Sequence, residues 1–135
     1  MFKFTKKSTC KINEKEQIIL AINKDIKLLE EAKIYISYIE LSGTAEVVAI
    51  KQQALKLAES CKMLLLQCLD LYTNLLSPRS NRLNKRRIVE GEIIQILNKL
   101  DEILPNCKLR YMQIEKEVLP LINQLYEKIN ICSEF

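Results

Sequence analysis

From Val47 to Leu76, apolar residues recur at every third and fourth position: Val47, Ile50, Ala54, Leu57, Cys61, Leu64, Cys68, Leu71 and Leu75. Only one side of an α-helix collects such an alternation. A second row runs beside it through Val48, Leu55, Ala58, Leu65, Leu69, Tyr72 and Leu76. Two adjoining rows make a stripe wider than a two-stranded seam needs, so this helix must touch at least two others. At ~1.5 Å per residue it is about 45 Å long. The other elements must be long enough to cover it.

The flanking sequence supplies three more helices. Asn13 can cap a first helix, with Glu16 completing a box-like start. Its apolar positions are Ile18, Ile22, Leu29, Ala32, Ile36 and Ile39, flanked by Ile19, Ile26 and Tyr35. Lys24, Asp25, Lys27, Glu30, Glu31 and Lys33 form its polar face. Gly43 suits the left-handed residue after a helix end, and Thr44 can cap the central helix. A gap that short predicts antiparallel packing of the first two helices.

Pro78 disfavours helical geometry at Ser77, and Ser80 or Asn81 can cap a third helix from about Arg82 to Leu104. Its seam is Val89, Ile93, Ile96, Leu97, Leu100, Ile103 and Leu104. Gly91 in its middle costs roughly 1 kcal/mol against Ala, which points to close packing or a partner surface there. Pro105 closes this helix and Asn106 can cap a fourth. The fourth seam reads Tyr111, Ile114, Val118, Ile122, Leu125, Ile129 and Cys132. Pro120 falls inside it, so that helix either kinks or restarts with Pro120 in its first turn.

The expected fold class is therefore all-α. The expected form is an antiparallel up-down bundle of three long helices plus a C-terminal fourth. Residues 1–12 form a basic lead-in and 13–135 a single domain. Two glycines, three prolines and 48% apolar residues leave little material for β-turns. No apolar run nears the ~18 residues of a membrane span, and the opening MFKFTKKST lacks the apolar core of a secretory signal.

The five cysteines form no CxxC pair, and the absence of histidine excludes mixed Cys/His metal sites. Cys61 and Cys68 occupy seam positions and read as small buried hydrophobes. Such usage fits a reducing, cytoplasmic location. Cys132-Ser133-Glu134-Phe135 has the outline of a prenylation box, but its middle residues are polar where that motif needs aliphatics. Cys132 reads instead as the last residue of an apolar row.

No histidine, nucleophile elbow, Gly-rich phosphate loop or loop-built carboxylate pair is visible, so a non-enzyme with no cofactor and no metal is expected. The net charge is +4. It is uneven: Arg79, Arg82, Lys85, Arg86 and Arg87 cluster with no acid among them. Cations at a helix start oppose the macrodipole by about 0.3–1 kcal/mol each, so the cluster suits a partner-binding role as well as a solvated helix start. Nucleic acid is the poorer partner, because only Asn81 and Asn84 accompany the cations and the net charge is small. An acidic protein surface fits better.

One resemblance is specific. The helix end Cys68-Leu69-Asp70-Leu71, a Pro-bearing loop, the run Arg82-Leu83-Asn84-Lys85-Arg86-Arg87-Ile88-Val89, and then Ile93, Leu97, Leu100 and Asp101 together resemble the BAG domain over about residues 45–103. The resemblance implies a co-chaperone that binds the nucleotide-binding domain of the seventy-kilodalton heat-shock chaperone and promotes nucleotide exchange. It would assign partner contacts to Asp70, Arg82, Arg86, Arg87 and Gln95, with Gln95 one step past the family's usual place. The alternative is a generic helical interaction or assembly module, in which surplus apolar surface on the second and fourth helices predicts self-association.

Overall fold

The structure, a computed structural model, describes residues 14–38, 45–106 and 111–135. Most of the described residues are helical, with no strand among them. Four helices account for most of them. Helix α1 spans Glu14–Tyr38, α2 spans Ala45–Thr73 and α3 spans Leu83–Ile103. Helix α4 is built from Tyr111–Gln113, a π-turn over Ile114–Val118 and the α-helix Leu119–Cys132. The proposed caps Asn13, Gly43 and Thr44 lie outside the described residues.

Helix α2 buries one line drawn from both predicted rows: Ala54, Ala58, Cys61, Leu65, Cys68 and Tyr72. These positions alternate by four and three residues, so they track a single core seam. Val48, Ile50 and Leu71 of the predicted rows are exposed instead. The helix also ends three residues early. The Thr73 hydroxyl donates to the Leu69 carbonyl at 2.6 Å, and the Asn74 amide donates to the Asp70 carbonyl at 2.9 Å. Side chains that bond back in this way satisfy the last helical carbonyls and compete with further turns. Leu75 and Leu76 therefore lie in the loop.

A 3₁₀ turn over Ser80–Arg82 leads into α3. Neither Ser80 nor Asn81 caps that helix; Arg82 takes the cap position and makes no side-chain cap bond. The α3 seam is buried through Val89, Ile93, Ile96, Leu97 and Leu100, and Leu104 is buried in the 3₁₀ turn Leu104–Asn106 that follows. A Cβ on Gly91 would meet nothing within 4 Å, so close packing does not explain the glycine. In α4 the Leu119 N–H donates to the Ile114 carbonyl across the π-turn. The widened turn sits directly before Pro120, which lacks an N–H and would crowd the carbonyl four residues back in a regular α-helix. Pro120 thus stands in the first turn of the resumed helix.

The main packings are α1 on α2, α3 on α4, α2 on α4 and α1 on α3. Lys15 of α1 reaches the Leu75 carbonyl beyond the end of α2, while Lys51 near the start of α2 reaches the Ser37 carbonyl near the end of α1. That pair therefore runs in opposite directions. Lys33 bridges to Glu59 and Glu30, and Lys62 bridges to Glu30 at 2.7 Å. The Lys62 hydrogen bond, followed by Lys33, holds the Glu30 carboxyl below its usual range. Lys128 of α4 meets Glu92 of α3 at 3.2 Å. Exposed ion pairs of this kind contribute at most about 1 kcal/mol each, so apolar burial dominates the assembly.

One expectation for α1 is overturned. Asp25 does not join the polar face; it is fully buried on the line of Ile18, Ile22, Leu29 and Ile36. It stands three residues after Ile22 and four before Leu29, which is a core position on any helix.

Candidate partner interface

The predicted basic cluster falls at one pole of the molecule, where the loop between α2 and α3 passes the end of α4. Its cations have different environments. Arg79, Lys85 and Arg87 are exposed and Arg82 is half-buried. Arg86 is only 6% exposed, because it occupies the α3 core line one turn before Glu90, itself buried. Sequence reading placed Arg86 among the partner contacts; the structure turns its side chain into the fold instead.

The buried polar groups at this pole satisfy one another. Tyr72 of α2 donates its hydroxyl to Glu90 Oε2 at 2.5 Å, Arg86 Nε lies 3.9 Å from the same oxygen, and Arg86 Nη1 donates to the Leu76 carbonyl at 2.5 Å. Burial and then the Glu90 carboxylate push the Tyr72 phenol far above its ordinary value, so it stays a neutral donor. Burial pushes the Cys132 thiol up to about 11, and the thiol packs in the core. That burial accounts for Cys132 as the end of an apolar row. Cys61 and Cys68 are likewise buried, as expected.

Three bonds fix the loop. Arg86 holds the Leu76 carbonyl, Lys15 Nζ reaches the Leu75 carbonyl at 3.5 Å, and the Arg79 N–H donates to the Phe135 carbonyl at 3.2 Å. The Leu76 side chain nevertheless points away from the core and is 85% exposed. It forms a ridge between two hollows. One, of about 470 Å³, is lined by Leu76, Pro78, Leu83, Lys15 and Arg87. The other, of about 430 Å³, is lined by Leu76, Asn74, Arg79, Glu134 and Phe135. An exposed guanidinium thus stands on each side of an exposed leucine.

The remaining residues assigned by resemblance are scattered. Asp70 is exposed near the end of α2, where the Asn74 amide donates to its carboxylate at 3.1 Å, and it lines neither hollow. Arg82 and Gln95 also line neither. Helices α2 and α3 are not packed along their lengths and meet through the Tyr72–Glu90 bond, while Arg86 of α3 holds the loop at the Leu76 carbonyl. Sequence reasoning missed Leu76, Pro78 and Leu83 as surface residues. The available signal was the pair Thr73-Asn74, whose side chains stop the helix and throw the two following leucines out of register.

Among the described residues no group of three or more His, Cys, Asp or Glu side chains is placed to hold a metal, and no helix is long and apolar enough to cross a membrane. Comparison with family models, with curated protein sequences and with solved structures finds no match to this chain.

Proposed function

We propose that this chain is a non-enzymatic protein-interaction module, an up-down four-helix bundle that docks an acidic, apolar-anchored segment of a partner protein at the Leu76 pole. The opposed directions of α1 and α2 support the up-down arrangement. The observation that carries the docking role is a leucine held in water by a buried arginine. Exposing a leucine side chain forfeits about 1.5–3 kcal/mol of burial. The loop is not slack, because Arg86 pins the carbonyl of that same residue. A fixed apolar ridge flanked by two hollows and two cations, Arg79 and Arg87, suits a partner that brings aliphatic side chains for the hollows and carboxylates for the guanidinium groups. Cys68 and Cys132, buried in the core as thiols, support a reducing compartment such as the cytoplasm.

The test is site-specific crosslinking in the native cell. A photoreactive residue at Leu76 should capture one discrete partner, and the yield should fall when Arg79 and Arg87 are both changed to Glu. The same residue at Gln95 should capture little. Equal capture at both positions, or capture of a second copy of the chain only, would count against the reading.

A narrower form is the BAG-type co-chaperone. Its support is the resemblance over about residues 45–103, together with the exposure of Asp70, Arg87 and Gln95. It requires faster nucleotide release from the isolated nucleotide-binding domain of the seventy-kilodalton chaperone, lost in Arg87→Ala. Arg86→Ala is the wrong probe, since it would disturb the fold. No acceleration by the intact chain removes this form and leaves the broader one standing.

A further inference from the structure

Two acids meet where α1 packs on α3, with a largely exposed lysine, Lys24, beside them. Asp25 is wholly buried on the core line of α1, and Asp101 of α3 lies within hydrogen-bonding reach of it. Both Asp25 carboxyl oxygens and Oδ1 of Asp101 are buried without a donor. The charged neighbour is Lys24, whose Nζ lies 3.5 Å from Asp101 Oδ2 on a largely exposed side chain. On α2, Glu59 and Lys62 are engaged with Lys33 and Glu30 further along α1, and Lys51 reaches the Ser37 carbonyl near its end. The turn Leu104–Asn106, which also packs on α1, carries no titratable side chain.

Two ionised carboxylates in this position would repel each other while both lost water. One proton removes both penalties. It neutralises Asp25, and the new O–H supplies the donor that the facing Asp101 oxygen lacks. We propose that the α1–α3 interface is a proton-binding site, in which Asp25 enters the fold as a neutral acid and donates to Asp101, so that the chain takes up one proton as it folds. Burial, then the hydrogen bond and charge of Asp101, push the Asp25 carboxyl up to about 9.

This chain contains no histidine, so no side chain with an ordinary pKa titrates between pH 5 and 8. The buried thiols of Cys68 and Cys132 are raised to about 12 and about 11 and add their own pH dependence only above that window. Within it the unfolded chain has already lost the Asp25 proton and the folded chain still holds it. Stability from this group is complete below the unfolded carboxyl pKa, declines steadily above it and is gone once the pH passes about 9. One linked proton makes the unfolding equilibrium constant rise about tenfold per pH unit.

The experiment is urea unfolding of the full chain from pH 5 to 8, for the wild type, Asp25→Asn and Asp101→Asn. The wild type should show the tenfold-per-unit rise. Asp25→Asn, which mimics the neutral acid, should be pH-independent. Asp101→Asn should keep a slope, because burial of Asp25 persists. A flat wild type, or an unchanged slope in Asp25→Asn, overturns the proposal. Should Asp25→Asn fail to fold, unfolding calorimetry of the wild type in buffers of different ionisation enthalpy decides: release of one proton is expected, and release of none refutes it. Stabilisation by magnesium or calcium that requires Asp25 would show a cation site instead, and would equally overturn the proton assignment.

Discussion

Two buried polar clusters sit on the same kind of helical seam and are resolved by opposite means. At the pole, Tyr72, Glu90 and Arg86 interrupt the core lines of α2 and α3, and each polar group there has a partner of complementary character. Between α1 and α3, Asp25 interrupts the core line of α1 and meets another acid, which Lys24 pairs with from the surface. The first cluster is closed by hydrogen bonds across elements and fixes a loop. The second needs a proton from solvent. A seam position fixes how deep a polar side chain lies; its neighbours across the interface determine whether it anchors the structure or weighs on it.

Breaking the pole should have the largest effect. Arg86→Met strands Glu90 and the Leu76 carbonyl, and should cost about 3–5 kcal/mol in chemical denaturation. Adding Tyr72→Phe and Glu90→Leu should recover much of the loss, since a wholly apolar substitute leaves no stranded charge. At the other cluster the sign should reverse. Asp25→Leu should stabilise the protein by about 1–4 kcal/mol near neutral pH, and by more at pH 8 than at pH 5, because the wild type alone weakens as its proton becomes harder to hold. Unfolding curves at the two pH values read this directly. Destabilisation by Asp25→Leu would mean that the acid pair contributes favourably and would erase the contrast.

Two smaller effects calibrate the comparison. Gly91→Ala lies outside both clusters and faces open space, so it should gain up to about 1 kcal/mol, seen as a raised Tm. A loss would contradict the open surroundings of Gly91. Leu76→Ala should change stability by no more than about 0.5 kcal/mol, since its carbonyl and not its side chain is held. With the photoreactive residue placed at Leu83, which lines the neighbouring hollow, the Leu76→Ala change should abolish capture of the partner. It thereby separates the loop's contribution to folding from its contribution to recognition.

Most of the burial pattern was legible from spacing. The seams of α3 and α4 match prediction because aliphatic residues at three- and four-residue steps have one low-energy orientation. Asp25 was missed because its residue type outweighed its register, although Ile22 and Leu29 bracket it at core spacing. Arg86 and Glu90 were missed for the same reason: they extend the line of Ile93, Leu97 and Leu100 by one and two turns. Leu76 was misplaced in the other direction, since periodicity cannot register that Thr73 and Asn74 end the helix.

The sequence by itself determined that the chain is helical, the approximate extent of the elements and most of the shielded apolar residues, because local spacing and chain breakers act over a few residues. Only the tertiary structure decided which helices pack together, that Arg86 turns inward while Arg87 stays outside, and that Asp25 meets Asp101. Those outcomes depend on groups far apart in the chain being brought within a few ångströms, and hydrogen bonding and ionisation respond to that distance and not to register.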